Sequence, residues 1–305
     1  MPDASMPDAS VPNAPRAAAP RLNATPGLIA LFCILWSSAF AAGKVAVADC
    51  PPLTLLATRF LMAGAILLTV TLVLGRFKRL SLREWGALAL AGTLNNALYL
   101  GLSFSGLATV SSAFTAVIIS ANPLLTALVA GPILGERLTV RKAIGLLLGF
   151  LGVIVVLRSR LAGGHEALSG TLLVLAALVA LTAGTLTYKR FGTSADLFQA
   201  SGIQCLAGAL ALGPVALFLE NPASAHLSAA FLGSFAYLVV AVSVGGYTLW
   251  YFILNRSSAT EATALHFLMP PLGLLFGWLL LGEPVPLLDI VGIVPIAAGI
   301  WMVTR

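Results

Sequence analysis

The sequence predicts an all-α membrane protein whose ten transmembrane helices form two inverted five-helix repeats. Three observations support this fold class: an apolar composition, ten long apolar stretches, and a motif that recurs after 147 residues. Of the 305 residues, 59% are hydrophobic and only 9% are charged, whereas about a quarter of the residues of a soluble domain are charged. Because so few charges could not solvate a protein surface in water, the chain is expected to expose its surface to lipid.

Residues 1–25 differ from the rest of the chain. They begin with a direct duplication, MPDAS-MPDAS, continue with many Pro and Ala residues, and show no apolar period. This composition predicts a disordered tail. A signal peptide is not expected here, because the apolar run that follows is too long and lacks a convincing small-residue cleavage site.

Ten apolar stretches of transmembrane length follow the tail. A helix needs about 20 residues of this kind to cross the hydrocarbon core of a bilayer. The stretches cover approximately residues 27–47, 54–75, 84–104, 108–132, 141–157, 168–188, 197–219, 229–254, 262–281 and 286–304. The loops between them are short, which leaves little room for a catalytic domain outside the membrane.

The basic residues predict the orientation of the chain. With the N-terminus placed in the cytoplasm, 13 of the 17 Lys and Arg residues fall on the cytoplasmic side, 2 fall on the opposite side and 2 lie inside spans. Basic residues favour the cytoplasmic side of short loops. Both termini are therefore predicted to be cytoplasmic, in a bacterial cell inner membrane. The net charge of +6 is accounted for in this way and does not indicate nucleic-acid binding.

The sequence lacks motifs for metal, nucleotide or covalent chemistry. Its three cysteines, Cys33, Cys50 and Cys205, are far apart and form no CxxC or Cys/His cluster, so no metal site is indicated. No Walker motif, GxSxG, HExxH or phosphate loop is present, which excludes an ATP-driven pump on this chain alone. We expect no cofactor and no catalytic residues.

A five-position motif relates the two halves of the chain. Its first copy recurs 147 residues later, with Pro123, Gly135-Glu136, Gly145 and Gly152 matched by Pro270, Gly282-Glu283, Gly292 and Gly299. Because each half contains five spans, the second copy enters the membrane from the opposite side, as in many secondary transporters. The expected repeats are 26–162 and 163–305. Each Gly-Glu pair is expected to be structural, with the glutamate capping or salt-bridging the next helix.

These features resemble the drug/metabolite transporter superfamily, in its ten-helix EamA branch. The resemblance covers the chain from about residue 27 to the end and rests on the two Pro…Gly-Glu segments, on Arg59, and on the early helix that carries Trp36, Phe40 and Lys44. Within this branch the sequence is similar to aromatic amino-acid exporters of the YddG type. The resemblance implies a secondary transporter or facilitator that exports amino acids or other metabolites through a cavity between helix bundles.

Two cations lie inside predicted spans, Lys44 near the end of span one and Arg59 in the first turns of span two. Ionisable groups are costly in a bilayer and usually face the protein interior or water. One hypothesis is that one or both attract the carboxylate of a substrate. The alternative is that Lys44 snorkels to the interface and that Arg59 ties helices together through backbone carbonyls. Trp36, Phe40 and Lys44 share one helical face, which lines either a cavity or a partner helix.

Polar amides near the middle of the membrane are further candidates. Asn95, Asn96 and Tyr99 lie in span three, and Asn122 lies in span four directly before Pro123. A proline removes a backbone donor and loosens the local helix. Amides at this depth need a hydrogen-bond partner, either a neighbouring helix or a solute. Three such amides beside a helix break favour a site near the midplane.

Aromatic residues and one histidine complete the set. Tyr247, Trp250 and Tyr251 lie late in span eight, where an aromatic belt at the interface would account for at least Tyr251. His266 lies one turn before Pro270 and is one of few groups that titrate near physiological pH. No Asp or Glu lies deep within a span, which favours facilitated diffusion or exchange and leaves His266 as the only candidate for proton coupling.

We therefore expect a central cavity lined by spans one, three, four, eight and nine. The candidate substrate-binding residues are Trp36, Lys44, Arg59, Asn95, Tyr99, Asn122, Trp250 and His266. The expected partners are a small-molecule substrate, an amino acid or a related metabolite or drug, and membrane lipid, with the chain as a monomer or weak dimer. An intramembrane enzyme acting on a lipid-linked substrate would need an embedded nucleophile, metal set or acid pair, which the sequence does not show. A receptor or assembly subunit would not account for the inverted repeat.

Overall fold

The computed structural model describes residues 26–106, 109–110, 112–161, 167–281 and 290–304. Within these ranges the chain is built of helices, with no strand. The predicted tail, the boundary at 162–163 between the predicted repeats, and the second Gly-Glu pair, Gly282-Glu283, lie outside the described residues. The all-α membrane fold predicted from the sequence is confirmed.

Eight helical spans in this part of the chain are long and apolar enough to cross a membrane. They agree with the first eight predicted spans to within a few residues. They are α1 (Pro26–Ala46), α2 (Pro52–Val73), α3 (Leu82–Gly106), α4 (Ser112–Ile119 and Asn122–Leu134), α5 (Val140–Leu161), α6 (Leu168–Phe191), α7 (Leu197–Leu219) and α8 (Ala229–Arg256).

The ninth and tenth predicted spans are also helical. Helix α9 comprises Ala259–Ala264, a tight 3₁₀ turn and Met269–Leu281, and α10 comprises Ile293–Thr304. The turn precedes Pro270 and Pro271, which lack the N–H groups that would bond to carbonyls one turn earlier. The equivalent proline of the first half, Pro123, follows a turn at 120–121 that divides α4. The same helix is therefore interrupted at the same place in both halves.

The third helix of each half contains a π-helical segment. In α3 it spans Thr93–Leu98, and in α8 it spans Leu238–Gly246. Adding the repeat offset of 147 to the first range gives 240–245, which lies inside the second. The two helices also begin alike, because the hydroxyls of Ser81 and Ser228, again 147 apart, cap their N-termini. Wider π turns occur mostly at functional positions of helices.

Two glutamates show that equivalent helices are antiparallel. Glu220, at the end of α7, accepts hydrogen bonds from the backbone N–H groups of Leu53 and Thr54 at the start of α2, at 2.9 and 2.7 Å. Glu136, after α4, accepts from the N–H groups of Ala259 and Thr260 at the start of α9, at 2.6 and 3.2 Å. Glu136 is thus structural, but it caps α9 rather than the next helix, α5.

The motif glycines form the crossing of α5 and α10. A Cβ atom placed on Gly145 would lie 2.8 Å from the Gly299 carbonyl oxygen, and one placed on Gly152 would lie 2.8 Å from that of Gly292. Gly145 corresponds to Gly292 in the repeat, and Gly152 corresponds to Gly299. The two contacts therefore exchange with each other under a two-fold rotation, as in the self-complementary interface of a dimer. This is the packing that an inverted repeat predicts.

The helices form two equivalent three-helix bundles. Helices α3, α4 and α6 pack together, and so do their repeat equivalents α8, α9 and α1. Helices α2 and α7 pack along each other, as do α5 and α10. The first π segment packs on α6 and α7, and the second packs on α1 and α2. Each half of the sequence therefore contributes helices to both bundles.

Candidate functional site

A small cavity lies between the two three-helix bundles. It is lined by Trp36, Asn95, Tyr99, Leu181, Tyr247, Trp250, Tyr251 and His266. Helices α1, α8 and α9 supply one wall, and α3 and α6 supply the other. Five of the eight candidate residues from the sequence meet here: Trp36, Asn95, Tyr99, Trp250 and His266.

Stacked rings form the first wall of the cavity. The His266 ring is stacked on Trp250, with centroids 5.0 Å apart, and lies nearly parallel to Trp36 at 6.5 Å. Trp36 also contacts Tyr247 at 5.1 Å, with the rings tilted. Aromatic pairs at these distances and angles attract one another beyond their buried area. The wall is thus built of aromatic rings that pack on one another.

The hydrogen bonds of Asn122 indicate which tautomer His266 adopts. Its Nδ1 lies 3.1 Å from Asn122 Nδ2, and Asn122 Oδ1 accepts a hydrogen bond of 2.9 Å from Thr182 Oγ1. Because an amide nitrogen only donates, Nδ1 accepts, and the proton of the neutral ring is on Nε2. Asn122 is fully buried and positions His266 from behind rather than lining the cavity.

Two buried polar atoms of the cavity residues have no partner among the described residues. They are His266 Nε2, which donates, and Asn95 Oδ1, which accepts. Asn95 lies in the first π segment and packs against Gly184 of α6, where any larger residue would collide with its amide. An unpaired buried polar group costs about 1–3 kcal/mol, so such groups are rare and call for an explanation. The two atoms belong to residues on opposite walls of the cavity.

The other two candidates lie away from the cavity lining. Lys44 is exposed in the last turn of α1, about 12 Å along the helix from Trp36. Arg59 is buried, and its Nε donates to Ser243 Oγ in the π segment of α8 at 2.7 Å. Arg59 therefore ties α2 to α8, in line with the alternative hypothesis that it holds helices together. The acceptor is a hydroxyl rather than the expected backbone carbonyl.

The interpretation of Tyr251 as an interfacial residue is wrong. Its side chain is 1% exposed, and its hydroxyl donates to Gln204 Oε1 at 2.6 Å. Sequence reasoning also missed Leu181 and Tyr247 as lining residues. The i, i+4 spacing of Tyr247 and Tyr251 places both on one helical face, and that spacing was the available signal for their shared position.

The family model of the EamA-like transporter family matches the chain twice, over residues 25–158 and 168–305. The chain belongs to the EamA-like transporter family. Each match covers one half of the sequence, in keeping with the 147-residue offset of the motif.

Relatives of this EamA-like protein span nearly its whole length. Uncharacterized transporter YvbV of Bacillus subtilis is 29% identical over 90% of this chain and 90% of its own. A probable terminal-alkyne amino-acid exporter of Streptantibioticus cattleyicolor is 28% identical over 91% and 92%. The S-adenosylmethionine/S-adenosylhomocysteine transporter of Chlamydia trachomatis is 29% identical over 85% and 82%.

A solved crystal structure shares the fold of this EamA-like protein. The two superpose with a TM-score of 0.76 at 23% sequence identity, over 90% of this chain and 94% of the other. At this level of identity the match shows the fold alone.

The acidic residues of this EamA-like protein lie at helix ends. Across the described ranges they are Asp49, Glu84, Glu136, Asp196, Glu220 and Glu261. Several have structural partners; Glu261, for example, caps α9 with Ser258 and pairs with Lys142 at 2.9 Å. No group of three His, Cys, Asp or Glu side chains that could hold a metal ion occurs in the part of the chain that the structure describes.

The cavity is almost closed in this conformation. The volume open to the centre of a water molecule is about 20 Å³, which is room for about one water. An amino acid is larger than this. A solute of that size can therefore bind only if the side chains or helices around the cavity move.

Proposed function

We propose that this protein is a secondary transporter or facilitator that exports amino acids, including aromatic ones, across the bacterial inner membrane. The observation that carries the proposal is that two residues on opposite walls of the cavity each hold an unpaired polar atom, His266 Nε2 and Asn95 Oδ1. The carboxylate of an amino acid accepts hydrogen bonds, and its ammonium group donates them. The aromatic wall of Trp36, Trp250 and His266 suits a planar or unsaturated side chain.

Two of the relatives support this class of solute. The name of the Streptantibioticus cattleyicolor relative specifies an amino acid with a terminal alkyne, and that of the Chlamydia trachomatis relative specifies derivatives of methionine and homocysteine. These solutes differ in size but share an amino-acid portion. A cavity that recognises this portion through one donor and one acceptor would suit either kind of side chain.

Movement of the two bundles gives the transport pathway. The bundles α3/α4/α6 and α8/α9/α1 are repeat equivalents that meet at the cavity. Rocking of one repeat-related unit against the other exposes a central site to each side in turn. The interrupted helices α4 and α9, and the π segments of α3 and α8, are the places where bending costs the fewest helical hydrogen bonds.

Flux in proteoliposomes tests the proposal. We expect the purified protein to accelerate efflux of radiolabelled phenylalanine or tryptophan well above the rate of protein-free vesicles. We also expect the rate to be independent of an imposed pH gradient, since the acidic residues described sit at helix ends rather than in a relay across the membrane. Efflux equal to that of empty vesicles for every amino acid tried would refute the proposed solute class. Flux that rises with the gradient would refute the uncoupled mechanism.

The orientation is part of the proposal. Because 13 of 17 basic residues fall on one side, we expect both termini to be cytoplasmic. A reporter fused after Arg305 should be active only as a cytoplasmic enzyme, and one fused after Arg160 only as a periplasmic enzyme. Activity of both fusions in the same compartment would contradict the ten-span topology.

A further inference from the structure

A larger groove lies on the outer surface of the bundle, between α4 and α6. Its volume is about 390 Å³, within the range of sites that bind small organic ligands. The lining residues are Leu125, Val129, Ile133, Val179, Thr182, Ala183, Leu186, Thr187, Arg190 and Phe191. Nearly all of the lining is apolar. Val179 is 59% exposed and Ile133 is 41% exposed, so the groove opens toward the membrane.

The groove has the length of one lipid leaflet. Helices α4 and α6 run in the same direction, because Asn122 contacts Thr182 while Ala130 packs with Leu186 further along both helices. The α6 side of the groove, from Val179 to Phe191, extends about 18 Å at 1.5 Å per residue. Half of a hydrocarbon core measures about 15 Å. One acyl chain lying along the groove would therefore reach from mid-membrane to the headgroup level.

Positive charge is concentrated at one end of the groove. Arg190 lines that end, and the guanidinium of Arg83 lies 5.4 Å from the centre of the Phe191 ring. The nearest acidic side chain in sequence, Glu84, accepts hydrogen bonds from Ser194 and Ser81. Both arginines lie on the side that the distribution of basic residues assigns to the cytoplasm. An anionic group at this end would meet two cations.

We propose that the α4–α6 groove binds one anionic phospholipid, with an acyl chain along the apolar lining and the phosphate at Arg190 and Arg83. Basic residues at the headgroup level attract anionic lipids, and the apolar length below them excludes a polar ligand. The site is separate from the central cavity. The hydroxyl of Thr182, at the floor of the groove, donates a hydrogen bond inward to Asn122. This hydroxyl therefore does not need a polar group of the ligand as its acceptor.

Native mass spectrometry of the full chain tests this site. The protein is reconstituted in vesicles of equal parts phosphatidylglycerol and phosphatidylcholine and then released into detergent. We expect one phosphatidylglycerol to remain bound per chain. Arg190→Gln should lower the ratio of lipid-bound to lipid-free protein about five-fold, the factor that corresponds to about 1 kcal/mol per basic residue near a lipid surface. Val129→Trp, which fills the groove, should lower retention of either lipid.

Two matched variants control for charge and bulk. Arg76→Gln removes an exposed arginine outside the groove lining, and Leu128→Trp adds the same bulk at a position that is 67% exposed on α4 and does not line the groove. Both should retain the lipid as the wild type does. Equal retention of the two lipids by the wild type, unchanged retention by Arg190→Gln, or a second copy of the chain in place of lipid would overturn the proposal. None of these outcomes depends on amino-acid flux.

Discussion

His266→Asn is expected to lower amino-acid flux about tenfold to a hundredfold while the protein remains folded, the range for loss of one hydrogen bond to a charged group. In asparagine the amide oxygen is bonded to Cγ, as Nδ1 is in histidine. The variant can therefore still accept a hydrogen bond from Asn122 Nδ2. It has nothing in place of Nε2, the unpaired donor of the cavity. Efflux from proteoliposomes at matched protein amounts is the measurement.

His266→Gln is the matched variant. Its amide is one bond further from the backbone, at the level of Nε2, so we expect it to transport better than His266→Asn. Both variants lose the ring that stacks on Trp250, which removes ring loss as the cause of a difference between them. Equal flux in the wild type and His266→Asn would show that Nε2 does not contact the solute.

Gly299→Ala is expected to destabilise the fold by about 1–3 kcal/mol or more, the usual cost of overpacking a tight contact. The new Cβ would lie 2.5 Å from the Gly145 carbonyl oxygen and 2.7 Å from the Gly149 nitrogen. Because both are backbone atoms, no side chain can rotate away, and α5 and α10 must separate. Small residues at such crossings are what allow membrane helices to pack closely. Thermal unfolding in detergent measures the change.

Gly152→Ala should have a similar effect, because Gly152 is the repeat equivalent of Gly299 and would meet the Gly292 carbonyl oxygen at 2.8 Å. Gly273→Ala is the control, since a Cβ on Gly273 meets nothing within 4 Å. On helix propensity alone alanine is favoured over glycine, so the control should be as stable as the wild type or slightly more stable. If Gly299→Ala unfolded at the same temperature as the Gly273→Ala control, the close crossing of α5 and α10 would be contradicted.

The features predicted well from the sequence depend on composition and on spacing along the chain. Apolar length locates helices because the bilayer sets a minimum span, and eight spans appear where that rule places them. The offset of the motif glycines predicts an inverted repeat, and the α5–α10 crossing shows its consequence in three dimensions. Asn95 was a candidate because amides at membrane depth need partners, and His266 was one because it titrates near physiological pH; both line the cavity.

The features missed depend on which way a side chain faces. In a membrane bundle both the lipid-facing and the inward-facing sides of a helix are apolar, so hydropathy does not separate them. Tyr251 was assigned to the interface for this reason, although it bonds to Gln204 inside the protein. The partner of Glu136 lies 123 residues away at Ala259, and neither π segment was predicted from the sequence. The residues next to Glu136 in the sequence do not show which distant helix it contacts, and the residue pattern of α3 and α8 does not show where these helices widen.

The size of the central cavity bears on the electrical insulation of the membrane. A bacterial inner membrane holds a voltage, and each elementary charge that crosses 100 mV releases about 2.3 kcal/mol. A continuous file of water through the protein would let protons discharge that voltage. The central cavity has room for about one water, and the rings of Trp36, Trp250 and His266 pack on one another in its wall. In this conformation the cavity therefore has no room for such a file of water.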